Sequence, residues 1–90
     1  MNERAVKAKI RGFIIENYLG RASGIDLKDD DSFLKKGIID SIGVIELTQF
    51  VQQEYPIKIE VKEIVPANFD TVNNLEAYIM RKLAAGGAAP

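Results

Sequence analysis

The chain has no cysteine, no histidine and no tryptophan, and only three prolines among its 90 residues. Without cysteine there is neither a disulfide framework nor a thiolate metal site, and a reducing, cytoplasmic setting is the natural expectation. Any thiol chemistry must be imported. Without histidine the chain lacks the commonest general base near neutral pH and the commonest transition-metal ligand. No obvious carboxylate dyad stands in for it, so self-sufficient catalysis is not expected. No apolar run approaches the roughly 18 residues needed to span a bilayer, and the charged start Met1-Asn2-Glu3-Arg4 has no signal-peptide core. The expected protein is cytoplasmic and not embedded in a membrane. A strong charge of one sign is also missing: 12 basic against 13 acidic residues leave a formal charge of -1, with no general pull towards nucleic acid or anionic lipid. The distribution is less even than the total. Residues 1–25 carry five basic and two acidic side chains, whereas residues 26–70 carry five basic and ten acidic ones, so the middle of the chain supplies the acidic surface.

What is present is enough apolar material, 47% of residues, for one compact domain and one modest core. Val6, Ile10, Phe13, Ile14 and Tyr18 recur at helical spacing with charged residues between them, which predicts a helix over about 3–19. Gly20 is a plausible stop for it. The stretch from Gly20 to Asp40, with Gly24, Asp29-Asp30-Asp31 and Gly37, reads as a long loop. Ile25, Leu27, Phe33, Leu34, Ile38 and Ile39 give that loop side chains to pack inward. Asp40-Ser41 opens a second helix, over about 41–55 and closed by Pro56, with one apolar stripe of Val44, Leu47, Val51 and Tyr55 and another of Ile42 and Ile45. Ile57 to Val61 alternates like a strand, but a lone strand is not stable in water, so it reads as an extended linker. A short third helix is expected over about 61–65, ended by Pro66. Thr71, or Asp70 beside it, caps a last helix over about 71–84 along Val72, Leu75, Tyr78, Ile79 and Leu83. The expected fold is all-α: a small four-helix bundle, three longer helices and one short, with a long loop between the first two. It occupies residues 1–83 and is followed by a disordered tail over 84–90.

On its own, Asp-Ser before an apolar helix marks an N-cap and nothing more. Its surroundings say more. The run from Asp31 through Phe33-Leu34, Gly37-Ile38-Ile39-Asp40-Ser41-Ile42 to Glu46-Leu47 resembles the prosthetic-group attachment region of acyl carrier proteins and peptidyl carrier proteins. The family signature is Asp-Ser-Leu followed by a Glu-Leu pair, and this chain has Ile42 in place of the leucine. Asn68-Phe69-Asp70-Thr71-Val72 resembles the family's third helix and the start of its fourth, so the likeness spans most of residues 6–83.

The resemblance implies a carrier that holds a covalent 4'-phosphopantetheine arm on Ser41, with Asp40 flanking it for recognition by the transferase. A phosphate there also makes physical sense, since it would sit beside unpaired N–H groups at the positive end of a helix. Ser41 would be a modification site and not a catalytic nucleophile, because a separate phosphopantetheinyl transferase, using coenzyme A and magnesium, makes the bond. The arm would carry acyl or aminoacyl groups as thioesters for fatty-acid, polyketide or related synthesis, which an acyl-loading ligase or transferase and downstream enzymes load and use. Ile42, Ile45, Glu46 and Gln49 are the expected partner-binding residues on a monomer. Asp40, Glu46 and Glu54 would form an acidic docking face, whereas Asp29 to Asp31 read as ordinary loop solvation or capping. Gly43, Gln49, Gln52 and Gln53 stand where strongly charged relatives are often acidic, which points to a specialised carrier. Gly43 would also loosen the first turn. The competing expectation is a helical interaction module that is never modified at Ser41.

Overall fold

The computed structural model describes residues 2–19 and 26–85. Helices α1 (Glu3–Ile14), α2 (Ser41–Glu54) and α4 (Val72–Ala84) are the long elements, and α3 (Pro66–Phe69) is a single turn. No strand occurs among the described residues, and 57–60 runs extended without a partner strand, so the fold is a small all-α bundle. Gly20, Ile25 and the last residues of the C-terminal tail, 86–90, lie outside the described residues.

Each long helix begins where a short polar side chain satisfies an orphan N–H. Asn2 accepts from the Ala5 N–H at 2.8 Å. Asp40 accepts from Gly43 at 2.8 Å, and Thr71 accepts from Asn74 at 2.9 Å. Thr71, not Asp70, is therefore the cap of α4. The first helix does not run to 19 as one α-helix; Ile15–Leu19 widens into a π-turn, in which Asn17 donates to the Phe13 carbonyl at 2.8 Å. The short third helix also departs from its expected place. Val61–Glu63 is a 3₁₀ turn, and Pro66 opens α3 instead of ending a helix before it. Proline at a first helical position loses only an N–H that would be unpaired anyway.

The core is one cluster. Val6, Ile10 and Ile14 of α1, Leu47 and Val51 of α2, Phe69 of α3, and Val72, Leu75, Tyr78 and Ile79 of α4 are buried in it. Helix α4 packs on both α1 and α3. The long loop contributes Leu27, Phe33, Ile38 and Ile39 to the same core, while Leu34 points outward. Burying a side chain such as Phe33 removes it from water at a gain of about 1.5–3 kcal/mol, which is why so long a connection stays in place.

Polar contacts then fix the loop. The Phe33 N–H donates to the Asp70 carbonyl at 2.8 Å. The Asp70 carboxylate accepts from the Leu34 N–H at 3.0 Å and from the Ser32 hydroxyl. Asp29 pairs with Arg11 at 2.9 Å and Lys7 at 3.5 Å. Asp31 accepts from the Lys28 N–H at 2.9 Å and pairs with Lys36 at 3.1 Å, contacts that lower its pKa, the backbone bond most. Two of the three loop aspartates thus make specific contacts, and Asp30 is exposed. Glu63 similarly ties the 3₁₀ turn to α4, accepting from the Glu60 N–H at 3.0 Å, the Tyr78 hydroxyl at 3.1 Å and Lys82 at 3.1 Å. The Glu60 backbone bond leads these in holding the Glu63 carboxyl below its usual range.

Candidate functional site

The approach to Ser41 is a single closed turn. Ser32 caps it by accepting from the Lys35 N–H at 3.1 Å, and Gly37 ends it at φ 67°, a left-handed conformation that glycine adopts without a Cβ clash. The Phe33 carbonyl then accepts from both Ile38 at 2.8 Å and Ile39 at 3.3 Å. Ile38 and Ile39 are buried immediately before Asp40, so the chain enters α2 from an anchored position.

Asp40 is extended and caps α2, and Ser41 is the exposed first residue of the helix. The Asp40 carboxylate takes the Gly43 N–H and the Asp40 carbonyl takes the Val44 N–H at 3.0 Å. The N–H groups of Ser41 and Ile42 have no intrahelical acceptor and lie at the positive end of the helix dipole. Beside Ser41 opens a cleft of about 230 Å³ lined mainly by Leu34, Val44, Ile45, Ile64, Val65 and Phe69.

At Gly43 the turn closes against two neighbouring side chains. A Cβ built there would lie 2.6 Å from Ile39 Cγ2 and 3.2 Å from Tyr18 Cε1, so only glycine permits the approach of both side chains. Tyr18, on the π-turn, reaches across to α2: its hydroxyl donates to the Glu46 carboxylate and lies 3.4 Å from the Gly43 carbonyl oxygen. Burial first, and then the bond to Glu46, push the Tyr18 phenol up to about 12.

The structure separates the residues expected at the site. Ser41, Asp40, Ile42 and Ile45 share the exposed start of α2, with Gln49 one turn further on. Glu46 is turned towards Tyr18 of the π-turn, and Glu54 pairs with Lys9 of α1 at 2.8 Å, which helps raise the Lys9 pKa. Of the apolar stripes, Leu47, Val51 and Tyr55 are buried, Val44 is half-buried beside the cleft, and Ile42 and Ile45 are open to solvent. Sequence reasoning missed Tyr18 and Gly43 as parts of the site and gave no role to the cleft residues Ile64 and Val65. A tyrosine at the end of one helix and a glycine just after the cap of another are the only local signals for the first two.

The exposed serine at a capped helix start, the anchored lead-in and the adjacent apolar cleft fall inside residues 14–79, which match the family model for a phosphopantetheine attachment site. The chain belongs to that family. It is 33% identical over 88 residues to a probable acyl carrier protein, PigG, of Serratia sp. (strain ATCC 39006), covering 93% of this chain and 99% of the relative. It is also 34% identical over 50 residues to a D-alanyl carrier protein of Streptococcus uberis (strain ATCC BAA-854 / 0140J), covering 56% of this chain and 62% of that relative. The protein is therefore a phosphopantetheine carrier, bearing the arm covalently. Carriers of this family are generally non-catalytic and meet both the enzymes that modify them and the biosynthetic enzymes they serve. No helix among the described residues of the carrier is long and apolar enough to cross a membrane.

Proposed function

We propose that Ser41 is the attachment point of the arm and that the carrier delivers acyl thioesters, with aminoacyl cargo as the narrower option, in a specialised biosynthetic route. The observation that carries this reading is the exposure of Ser41 on the first turn of α2, beside an apolar cleft and within the matched region. Ser32 is a poorer candidate because its hydroxyl is engaged with Asp70.

The residues present suit a phosphodiester. Free N–H groups at Ser41 and Ile42 and the helix dipole favour negative charge there by about 0.3–1 kcal/mol. Asp40 holds the turn that presents Ser41 and forms part of what the transferase reads. When bound, the arm supplies the thiol that a chain without cysteine lacks. The cleft, at about 230 Å³, is smaller than the roughly 300–1,000 Å³ of typical small-molecule sites and takes a short apolar segment at most.

Similarity to a probable acyl carrier over nearly the whole chain favours acyl cargo, and the shorter match to a D-alanyl carrier keeps the aminoacyl option. Glutamines along the exposed side of α2 support a specialised role. The protein acts as a cytoplasmic monomer, a substrate of a phosphopantetheinyl transferase and of an acyl-loading ligase or transferase, and not as an enzyme. The absence of histidine and cysteine supports the last point.

Intact-protein mass spectrometry after incubation with coenzyme A, magnesium and a broad-specificity transferase tests the reading. One phosphopantetheine addition on the wild type and none on Ser41→Ala is expected; equal addition to both sinks it.

A further inference from the structure

Gly43, Glu46 and Phe50 share one side of α2, as positions three and seven residues apart on a helix do, and that side meets the end of the first helix. Phe50 stacks on Phe13 with ring centroids 4.1 Å apart. Glu46 accepts from the Tyr18 hydroxyl. The Tyr18 ring lies against Gly43, with Cε1 3.2 Å from where a Cβ would stand. Tyr18 is itself held edge-on to Phe13, at 6.0 Å between centroids. It stands on the π-turn Ile15–Leu19, a rare helical geometry that recurs at functional sites.

Ser41 occupies the opposite side of the same turn. At about 100° per residue, positions 41 and 43 lie about 200° apart. Gly43 is accordingly buried and Ser41 exposed. The turn has few ties of its own. Gly43 has the lowest helix propensity of any residue but proline, and the Ser41 and Ile42 N–H groups have no intrahelical acceptor. Asp40 supplies the two bonds at its start, to the Gly43 N–H at 2.8 Å and to the Val44 N–H at 3.0 Å. Ile39 packs on Gly43 but belongs to the lead-in, so Tyr18 is the support that comes from another helix.

We propose that Tyr18 is a positioning residue for attachment of the arm: its ring braces the first turn of α2 from behind and keeps Ser41 in the geometry that the transferase accepts. The proposal rests on Ser41 as the attachment point. In that step the Ser41 oxygen bonds to the pantetheine-side phosphorus of coenzyme A, the pyrophosphate bond breaks, adenosine bisphosphate leaves and the hydroxyl proton passes to the transferase. Without the ring the turn frays at Gly43, and Ser41 is presented correctly only part of the time. The apparent affinity of the transferase falls by that fraction, while the step on the bound carrier proceeds as before.

The test measures KM and kcat for the carrier, at saturating coenzyme A, with a transferase that modifies the wild type. Tyr18→Ala should raise KM at least about fivefold and leave kcat within about twofold of the wild type, the split expected when a competent conformation is depopulated. Tyr18→Phe keeps the ring and should hold KM within about twofold of the wild type. Val6→Ala, a cavity in the core away from this turn, is the stability control; it should lower the melting temperature and leave KM within about twofold. Amide hydrogen exchange reads the turn without the transferase. In Tyr18→Ala the Gly43 and Val44 N–H groups should exchange at least about tenfold faster, relative to Val51, than in the wild type. A Tyr18→Ala KM that rises less than about fivefold, or a rise of that size in Val6→Ala, overturns the proposal. Unchanged exchange at Gly43 and Val44 overturns the bracing of the turn, and a Tyr18→Phe as impaired as Tyr18→Ala overturns the assignment to the ring. Transfer that survives Ser41→Ala instead refutes the attachment reading, whatever the exchange shows, so the two failures are distinguishable.

Discussion

The side of the bundle formed by α1, α4 and the long loop hides its apolar side chains and pins its edges with polar bonds, whereas the start of α2 and the segment before α3 leave several of theirs in water. On the first side, Val6, Ile10, Phe33, Leu75 and Ile79 are fully buried, and Asp29, Asp70 and Glu63 each hold a loop or turn against a helix. On the second, Ile42, Ile45 and Val61 stay more than half exposed. Apolar surface kept open against the drive to bury it is a mark of contact with something else. Here Ile42 and Ile45 lie beside Ser41, which is exposed. Buried and open apolar surface thus lie on different faces, with Gly43 and Tyr18 at the seam between them.

That division can be broken by substitution. Phe33→Ala on the buried side should lose about 3–5 kcal/mol in urea unfolding, because the ring anchors the long loop in the core. A loss below about 1 kcal/mol would mean the loop is not part of the scaffold. Gly43→Ala tests the seam. In an open helix this change gains about 1 kcal/mol, but here the added methyl meets Ile39 at 2.6 Å. A net loss of about 1–3 kcal/mol is expected from the forced shift, and a gain would show that the packing around Gly43 is loose. On the open face, Ile42→Ser and Ile45→Ser should each change stability by no more than about 0.5 kcal/mol, measured the same way. A larger loss from either would place that isoleucine in the scaffold and erase the contrast.

Much of this was legible in the chain. The 3.6-residue spacing located α1, α2 and α4, and Asp40-Ser41 marked the start of α2 because a cap is a local chemical event. The π-turn at Ile15–Leu19 was not legible, since five residues cannot distinguish its pitch from that of an α-helix. Pro66 was misread because proline both ends and begins helices, and the choice depends on Phe69 reaching the core. The stripe of Val44, Leu47 and Val51 was expected to be the buried one, and Leu47 and Val51 are buried while Val44 is half-buried. Tyr18 and Glu46 are 28 residues apart, and no local pattern joins them. The packing role of Gly43 was not legible for the same reason: its low helix propensity is local, while the need for its missing Cβ comes from Ile39 and Tyr18.

The most direct test of the account is fragment mass spectrometry of the modified carrier, locating the phosphopantetheine among its three serines, Ser23, Ser32 and Ser41. The account predicts the arm on Ser41 alone. An arm on Ser23 or Ser32, or none on Ser41 in a chain that has been modified, would contradict it.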